Sequence, residues 1–385
     1  MSSFIPGNSV VLLEGGGRFF PALVRAIEGA VEEIHLESYI FENDDTGRRV
    51  ANALCDAARR GVRVHVLVDG FGGRGFVATL MSGLASAGVR VLVYRRELGS
   101  FVLRRHRLRR LHRKVCVVDA CLAFVGGINI IDDLSPSGLR RPRHDYAVEV
   151  RGPLVSVIAS SSRRLWWLVS WASLRRRRMP SPRSVQVPPA AGSVRAAFLI
   201  RDNLRHRRDI EDAYLDAIAS ARSEIVIASA YFFPGRQFRQ ALTDAARRGV
   251  RVVLILQGLS DHPLLAYASR ALYPHFLSCG VRLFEYNRSI LHAKVAVVDS
   301  RWATVGSSNI DPFSLLLARE ANVVVDDEPF AGRLRASLEI AMTQGAEERH
   351  LESLRRLPLI RRLATWIAYQ CVRAAIGIAG YGGRH

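Results

Sequence analysis

A chain of 385 residues with an apolar fraction of 49% can hold two ordinary domains, each with its own packed core. Its formal net charge of +20, at a pI near 10.9, calls for an anionic partner: nucleic acid, or a membrane surface rich in acidic lipid. The five scattered cysteines have no C-x-x-C spacing, which argues against a disulfide framework or zinc site and is compatible with a reducing cytosol.

From the N-terminus, Met-Ser-Ser-Phe-Ile-Pro-Gly-Asn shows no basic region running into an apolar one, so no signal peptide is expected. No later stretch approaches roughly 20 uninterrupted apolar residues, and no conventional membrane span is expected. After Ile34–Phe41 comes a helical pattern over Gly47–Arg60, and the β-branched run Val62–Val68 reads as a buried strand. The phrase Gly88-Val89-Arg90-Val91 comes next. The stretch Arg95–Arg110 follows, with seven arginines, either an electropositive lip or a solvated loop. Then comes the phrase Leu111-His112-Arg113-Lys114-Val-Cys-Val-Val-Asp119, a small-residue loop Gly126-Gly127-Ile128-Asn129, and the run Asp145-Tyr-Ala-Val-Glu-Val. Trp166, Trp167 and Trp171 stand at helical spacing, as core or as an interfacial patch. Arg175–Arg195 holds four consecutive arginines and a Pro-rich segment, and reads as an exposed connector.

Beyond the connector the pattern starts again. Ile225–Phe233 resembles Ile34–Phe41, and Arg247-Arg248-Gly249-Val250 repeats Arg59-Arg60-Gly61-Val62. Helix is expected over Phe238–Arg248 and strand over Val252–Leu256. Gly280-Val281-Arg282-Leu283 repeats the Gly88 phrase, and Leu291-His292-Ala293-Lys294-Val-Ala-Val-Val-Asp299 repeats the histidine phrase 180 residues later. Gly306-Ser307-Ser308-Asn309 and Glu320-Ala-Asn-Val-Val-Val complete the copy. Two copies of one α/β unit with a largely parallel or mixed sheet are therefore predicted. The boundaries are 1–174, a linker at 175–195, 196–350, and a C-terminal segment at 351–385. The last carries six arginines and one glutamate. On a helix it sets Arg362, Thr365, Trp366, Tyr369, Gln370 and Arg373 against Leu363, Ala364, Ile367, Ala368, Cys371 and Ala375. That pattern suits a membrane interface or docking on the protein's own core.

Of the 55 basic residues only two are lysine, Lys114 and Lys294, each two residues after a histidine. A compact ammonium differs chemically from a planar guanidinium, so this placement marks a need for a small cation. On a strand, residues two apart share a face, which sets His112 beside Lys114 and His292 beside Lys294. Asp119 and Asp299, seven positions beyond their histidines, belong to the same phrases but read as structural anchors. Asn129, Asn309 and Ser308 lie in small-residue loops suited to phosphate oxygens. The loop at Asn309 runs into an expected first helical turn at Asp311-Pro312. Asp145 and Glu320 are expected to orient a ring nitrogen, Asp145 for His112 and Glu320 for His292. No cluster of acidic metal ligands is seen, and no metal or other cofactor is expected. The set suits covalent attack by histidine on a phosphodiester, with fixed cations stabilising the charge.

Two H-x-K-x4-D phrases, each followed by G-G/S-x-N, resemble the signature of the phospholipase D superfamily. Ala230-Tyr231-Phe232-Phe233-Pro234-Gly235 and Val305-Gly306-Ser307-Ser308-Asn309-Ile310-Asp311-Pro312 are most similar to its bacterial cardiolipin synthases. The resemblance implies two tandem α/β sandwich domains with pseudo-twofold symmetry and an active site at their interface. It implies catalytic roles for His112, Lys114, Asp119, His292, Lys294 and Asp299, with His112 the expected nucleophile. It also implies phosphatidylglycerol as substrate and peripheral association with the cytoplasmic side of the inner membrane, on anionic phospholipid. No nucleic acid partner is expected. The alternative is a phosphodiesterase that hydrolyses lipid or DNA. Ala318-Arg319 stands before Glu320 where the family has an asparagine-containing phrase.

Overall fold

The computed structural model describes residues 3–95, 109–132, 142–173, 185–202, 205–259, 263–311 and 318–376. The first half runs β1 (Ile5–Glu14), α1 (Gly15–Glu28), β2 (Glu33–Ser38), α2 (Asp45–Arg59), β3 (Arg63–Asp69), α3 (Arg74–Thr79) and α4 (Met81–Ser86). It continues with β4 (Arg90–Tyr94), β5 (Val115–Val118), β6 (Leu122–Gly126), β7 (Tyr146–Arg151) and α5 (Leu154–Ala172). The second half repeats this order with β8 (Val194–Arg201), α6 (Asp209–Ser220), β9 (Glu224–Ser229), α7 (Arg236–Arg247), β10 (Arg251–Gln257), α8 (Pro263–Arg270) and α9 (Tyr273–Ser278). Then come β11 (Arg282–Tyr286), β12 (Lys294–Val298), β13 (Trp302–Gly306), β14 (Glu320–Asp326) and α10 (Glu328–Gly345). Beyond the repeat lie β15 (Ala346–Arg349), α11 (Leu351–Arg355) and α12 (Leu359–Ile376).

Local chemistry explains the repeated phrases. Asp44 caps α2 by accepting the Gly47 N–H at 2.7 Å, and Val50, Leu54 and Ala57 give that helix its buried face. In the repeated Arg-Arg-Gly-Val phrase, Gly61 (φ 93°) and Gly249 (φ 89°) take the left-handed conformation that ends α2 and α7. The chain can then enter β3 or β10 directly.

The sheet is mixed, and its order is nearly palindromic: β15-β11-β10-β9-β12-β13-β14-β8-β1-β7-β6-β5-β2-β3-β4. Strands β2, β3 and β4 pair in parallel, as do β9, β10 and β11. The halves join where β1 meets β8 antiparallel, with Ile5 opposite Ala196 and Asn8 opposite Val194. Strand β8 thus begins at Val194, so the expected connector ends earlier than Arg195; residues 175–184 of it lie outside the described residues. Val115, Val117, Val125 and Val148 of one half share a core with Val226, Val295, Val305 and Val323 of the other, closed by α5 and α10. Separate cores under α1–α4 and under α6–α9 complete the layers. This is the expected pair of α/β units with pseudo-twofold symmetry.

Asp119 and Asp299 occupy matching turns after β5 and β12. Asp119 and Ala120 (φ 50° and 53°), like Asp299 and Ser300 (51° and 50°), turn with positive φ. The Asp119 carboxylate accepts the N–H groups of Val31, Glu32 and Glu33 at 2.8–2.9 Å. That of Asp299 accepts those of Arg222, Ser223 and Glu224 at 2.8–2.9 Å. Each carboxylate ties its hairpin to the start of β2 or β9. Asp119→Ala and Asp299→Ala should each lower unfolding stability by about 1–3 kcal/mol. Denaturant titration checks this; unchanged midpoints in both variants would contradict the anchoring role.

Candidate active site

The site lies beyond the carboxyl ends of the parallel strands β2, β3, β9 and β10, a usual place for ligands in such sheets. Neither histidine is on a strand. His112 and His292 stand just before β5 and β12, where the backbone crosses between halves. Leu111 bridges Arg319, with the His112 N–H donating to the Arg319 carbonyl at 2.9 Å. Leu291 bridges His144, with the His292 N–H donating to the His144 carbonyl at 2.8 Å. Glu320 and Asp145 are the next residues in those partner segments.

Each carboxylate therefore meets the histidine of the opposite repeat phrase from the one expected. His112 Nδ1 lies 3.0 Å from both Glu320 oxygens, and His292 Nδ1 lies 2.5 Å from Asp145 Oδ2. The expected pairing of Asp145 with His112 and Glu320 with His292 is corrected, because these bridges join opposite halves. An ionised carboxylate on Nδ1 requires a proton between the two atoms, so Nδ1–H donates and the lone pair resides on Nε2.

The lysines curl back on their own phrases. Lys114 Nζ donates to the His112 carbonyl at 2.7 Å, and Lys294 Nζ donates to that of His292. Lys294 Nζ is also 2.8 Å from His292 Nδ1 and 3.8 Å from Asp145 Oδ2. The side chains of His112 and His292 keep 15% and 14% exposure, whereas Glu320 and Lys294 are at 0%. The imidazoles are thus the groups a substrate can reach.

Burial dominates the electrostatics. It pushes His292 down to about 3, helped by the Lys294 charge and opposed by Asp145. His112 is lowered for the same first reason, against the pull of Glu320. Burial would raise Asp145, but Lys294 and His292 outweigh it and hold the carboxyl below its ordinary value. Lys114 is pushed down to about 7 by burial, against Glu320, with Lys294 adding repulsion. Neutral imidazoles beside ammonium groups suit nucleophilic attack on an anionic phosphorus centre.

The remaining expected residues divide. The Asn129 side-chain oxygen accepts the Ile40 N–H at 3.2 Å, fixing the segment after β2. Asn309 and Ser308 are buried; the Ser308 N–H donates to Asn322 Oδ1 at 3.3 Å and its hydroxyl to the Asn309 carbonyl at 3.4 Å. The expected helix turn after Asp311 lies outside the described residues, as does most of the Arg95–Arg110 insert. Asp119 and Asp299, grouped above with the catalytic residues, sit in turns at the far ends of β5 and β12 and hold backbone N–H groups.

Several site residues were not singled out from sequence. Ser307 donates to Glu320 Oε2 at 2.5 Å; its counterpart is Gly127, where a Cβ would fall 2.3 Å from Asp145 Oδ1. The Gly-Gly and Gly-Ser difference was the available signal. Tyr39 packs edge-on against His112 at 4.9 Å, with Lys114 Nζ 5.4 Å from its ring centre. Asp69 ties the site to β3, accepting the Leu111 N–H at 2.8 Å. Arg113, between His112 and Lys114, forms a buried ion pair with Glu37 at 2.9 Å. Ala293 and Ala228 occupy the matching positions.

The sequence pattern of the family described as cardiolipin synthase, phospholipase D-like domain, matches residues 23–160 and 214–341. Cardiolipin synthase B of Escherichia coli K12 is 41% identical over 345 residues, covering 87% of this chain and 81% of that protein. Cardiolipin synthase A of Proteus mirabilis HI4320 is 31% identical over 341 residues, covering 86% and 68%. The crystal structure of phosphatidylserine synthase from Haemophilus influenzae Rd KW20 superposes with a TM-score of 0.69 over 97% of this chain and 96% of that one. At 14% identity it speaks for the fold. The chain belongs to the cardiolipin synthase family of phospholipase D-like proteins.

The lowered Lys114 value sets a pH dependence. The ammonium form is present below about 7 and lost above it, so kcat/KM should fall as pH rises through that value. Lys114→Arg keeps its charge, so the alkaline limb should vanish while the maximum drops at least about tenfold. A pH–rate profile checks this; an unchanged limb in the variant contradicts it.

Proposed function

We propose that the chain is a phosphatidyltransferase that joins two phosphatidylglycerol molecules into cardiolipin with release of glycerol. The observation that carries this reading is the pair of accessible imidazoles, each held at Nδ1 by a buried carboxylate and flanked by a buried lysine. One imidazole Nε2 attacks the donor phosphorus, forming an N–P bond as the bond to the glycerol oxygen breaks. The other imidazole, neutral in the empty site, takes up a proton on Nε2 as the anionic phosphodiester binds and gives that proton to the glycerol oxygen. The hydroxyl of the second phosphatidylglycerol then attacks phosphorus. The N–P bond breaks, and the hydroxyl proton passes to the second imidazole. Resemblance favours His112 as the attacking residue. Lys114 and Lys294 supply the positive charge, so transfer should persist in a chelator.

Among the described residues no helix is long and apolar enough to cross a membrane. We place the protein peripherally on the cytoplasmic face of the inner membrane, held by its C-terminal segment. Helix α12 packs on α8, and Ala368 and Val372 enter the core of the second half. Tyr369 packs against Phe233 at 5.4 Å. The face expected to insert is therefore rotated, because part of it covers the protein itself. Leu359, Ile360, Leu363, Trp366 and Ile367 remain exposed, at 48–78%, beside Arg361 and Arg362. Apolar side chains ringed by arginine suit an anionic bilayer. The three tryptophans of α5 divide: Trp166 is buried, 4.7 Å from the His65 ring, whereas Trp171 is exposed.

Purified protein given labelled phosphatidylglycerol in vesicles should form cardiolipin and glycerol, with or without EDTA. Loss of activity in EDTA that a divalent ion alone restores would contradict the lysine-based mechanism. Leu363→Asp with Trp366→Asp should weaken vesicle binding by at least about tenfold, while cleavage of a soluble phosphodiester is kept. Undiminished vesicle binding would remove α12 from the membrane contact.

A further inference from the structure

The first half places two arginines, Arg74 and Arg110, at the site mouth, and the residue matching Arg110 in the second half is Ile290. Arg110 precedes Leu111-His112, and its carbonyl accepts the Arg319 N–H at 2.8 Å. Arg74, in the first turn of α3, and Arg110 both lie over the Phe71 ring, at 4.6 and 4.9 Å from its centre. Phe71 is 45% exposed. Asp69 connects this group to the reaction centre: it accepts the Phe71 N–H at 2.8 Å through one oxygen and the Leu111 N–H at 2.8 Å through the other. Both guanidiniums are close enough to act electrostatically on Tyr39, whose ring packs on His112. In the second half Ile290 stands for Arg110, and Leu259 stands for Phe71 after the matching glycines Gly70 and Gly258.

An asymmetry at the site mouth gives the two halves the means to treat two different substrates differently. On the function proposed above, the donor phosphate reacts between the two imidazoles. The acceptor lipid brings a second phosphodiester that does not react, three carbons from the attacking hydroxyl. We propose that Arg74 and Arg110, stacked on Phe71, bind this non-reacting phosphodiester of the acceptor. Stacking engages the faces of the guanidiniums and fixes their planes, and their N–H edges match phosphate oxygens. The arginines take no part in the transfer itself, in which the acceptor oxygen replaces the imidazole on phosphorus. They act only on an acceptor that carries charge.

This inference rests on the transferase reading, and one assay separates the two. Full-length protein is incubated with phosphatidylglycerol vesicles and labelled glycerol. Cardiolipin then reports the anionic acceptor, and labelled phosphatidylglycerol reports the neutral one. In Arg74→Gln and Arg110→Gln the ratio of cardiolipin to labelled phosphatidylglycerol should fall by roughly tenfold, with Arg110→Lys intermediate. An unchanged ratio overturns the subsite. Equal loss of both products, with or without loss of vesicle binding, also overturns it, and marks the arginines as part of the fold or the membrane contact. If the wild-type protein forms neither product, the transferase reading fails and the subsite with it.

Discussion

At two points the backbone of one half hydrogen-bonds to the other half one residue away from a site carboxylate: Leu111 against Arg319, and His144 against Leu291. The chemistry of the site depends on these bridges. Each aligns a histidine from one repeat with the carboxylate that follows the bridging residue of the other. A half on its own would hold an imidazole with no carboxylate at Nδ1 and a carboxylate with no imidazole to orient. Covering β-branched strands at the shared core does more than stabilise the pair. It assembles two proton-handling units that neither repeat contains alone.

The cost of this arrangement is burial of charge. Two ammonium groups and two carboxylates lie in the interior, where unpaired ions are strongly disfavoured. They offset one another while the imidazoles stay neutral, and burial is what keeps them so. The lowered value of Lys114 is the residue of that compromise. A phosphodiester entering the site brings negative charge next to the ammonium groups, which favours their protonated form. The site is thus matched to an anion before it arrives, which is how preorganised charge stabilises a phosphoryl transition state.

Much of this was legible in the chain. The recurring phrases, Arg-Arg-Gly-Val among them, showed two copies of one unit, and the two isolated lysines stand at the histidine pair. Asp119 and Asp299 were read as anchors from their distance along the strand. The crossed pairing was not legible, because spacing within one repeat carries no information about backbone bridges between repeats. Nor was the division of α12, since its small and apolar residues fit a bilayer and a protein core equally well; only the position of α8 decides that Ala368 and Val372 turn inward. Ser307 was passed over for Ser308, although it is Ser307, just past the end of β13, whose hydroxyl reaches Glu320. Phe71 lies in the turn after β3 and Arg74 at the start of α3, neither within a motif, and their relation to Arg110 exists only in three dimensions.

The crossed histidine–carboxylate pairs are the centre of this account, and nitrogen NMR of protein labelled only in histidine tests them most directly. A strong Nδ1–H to carboxylate bond moves the proton resonance well downfield, and single histidine substitutions assign the signals. Glu320→Gln should shift or remove the His112 signal and leave that of His292 in place, and Asp145→Asn should do the reverse. A His292 signal that responds to Glu320→Gln while the His112 signal stays put would contradict the crossed pairing.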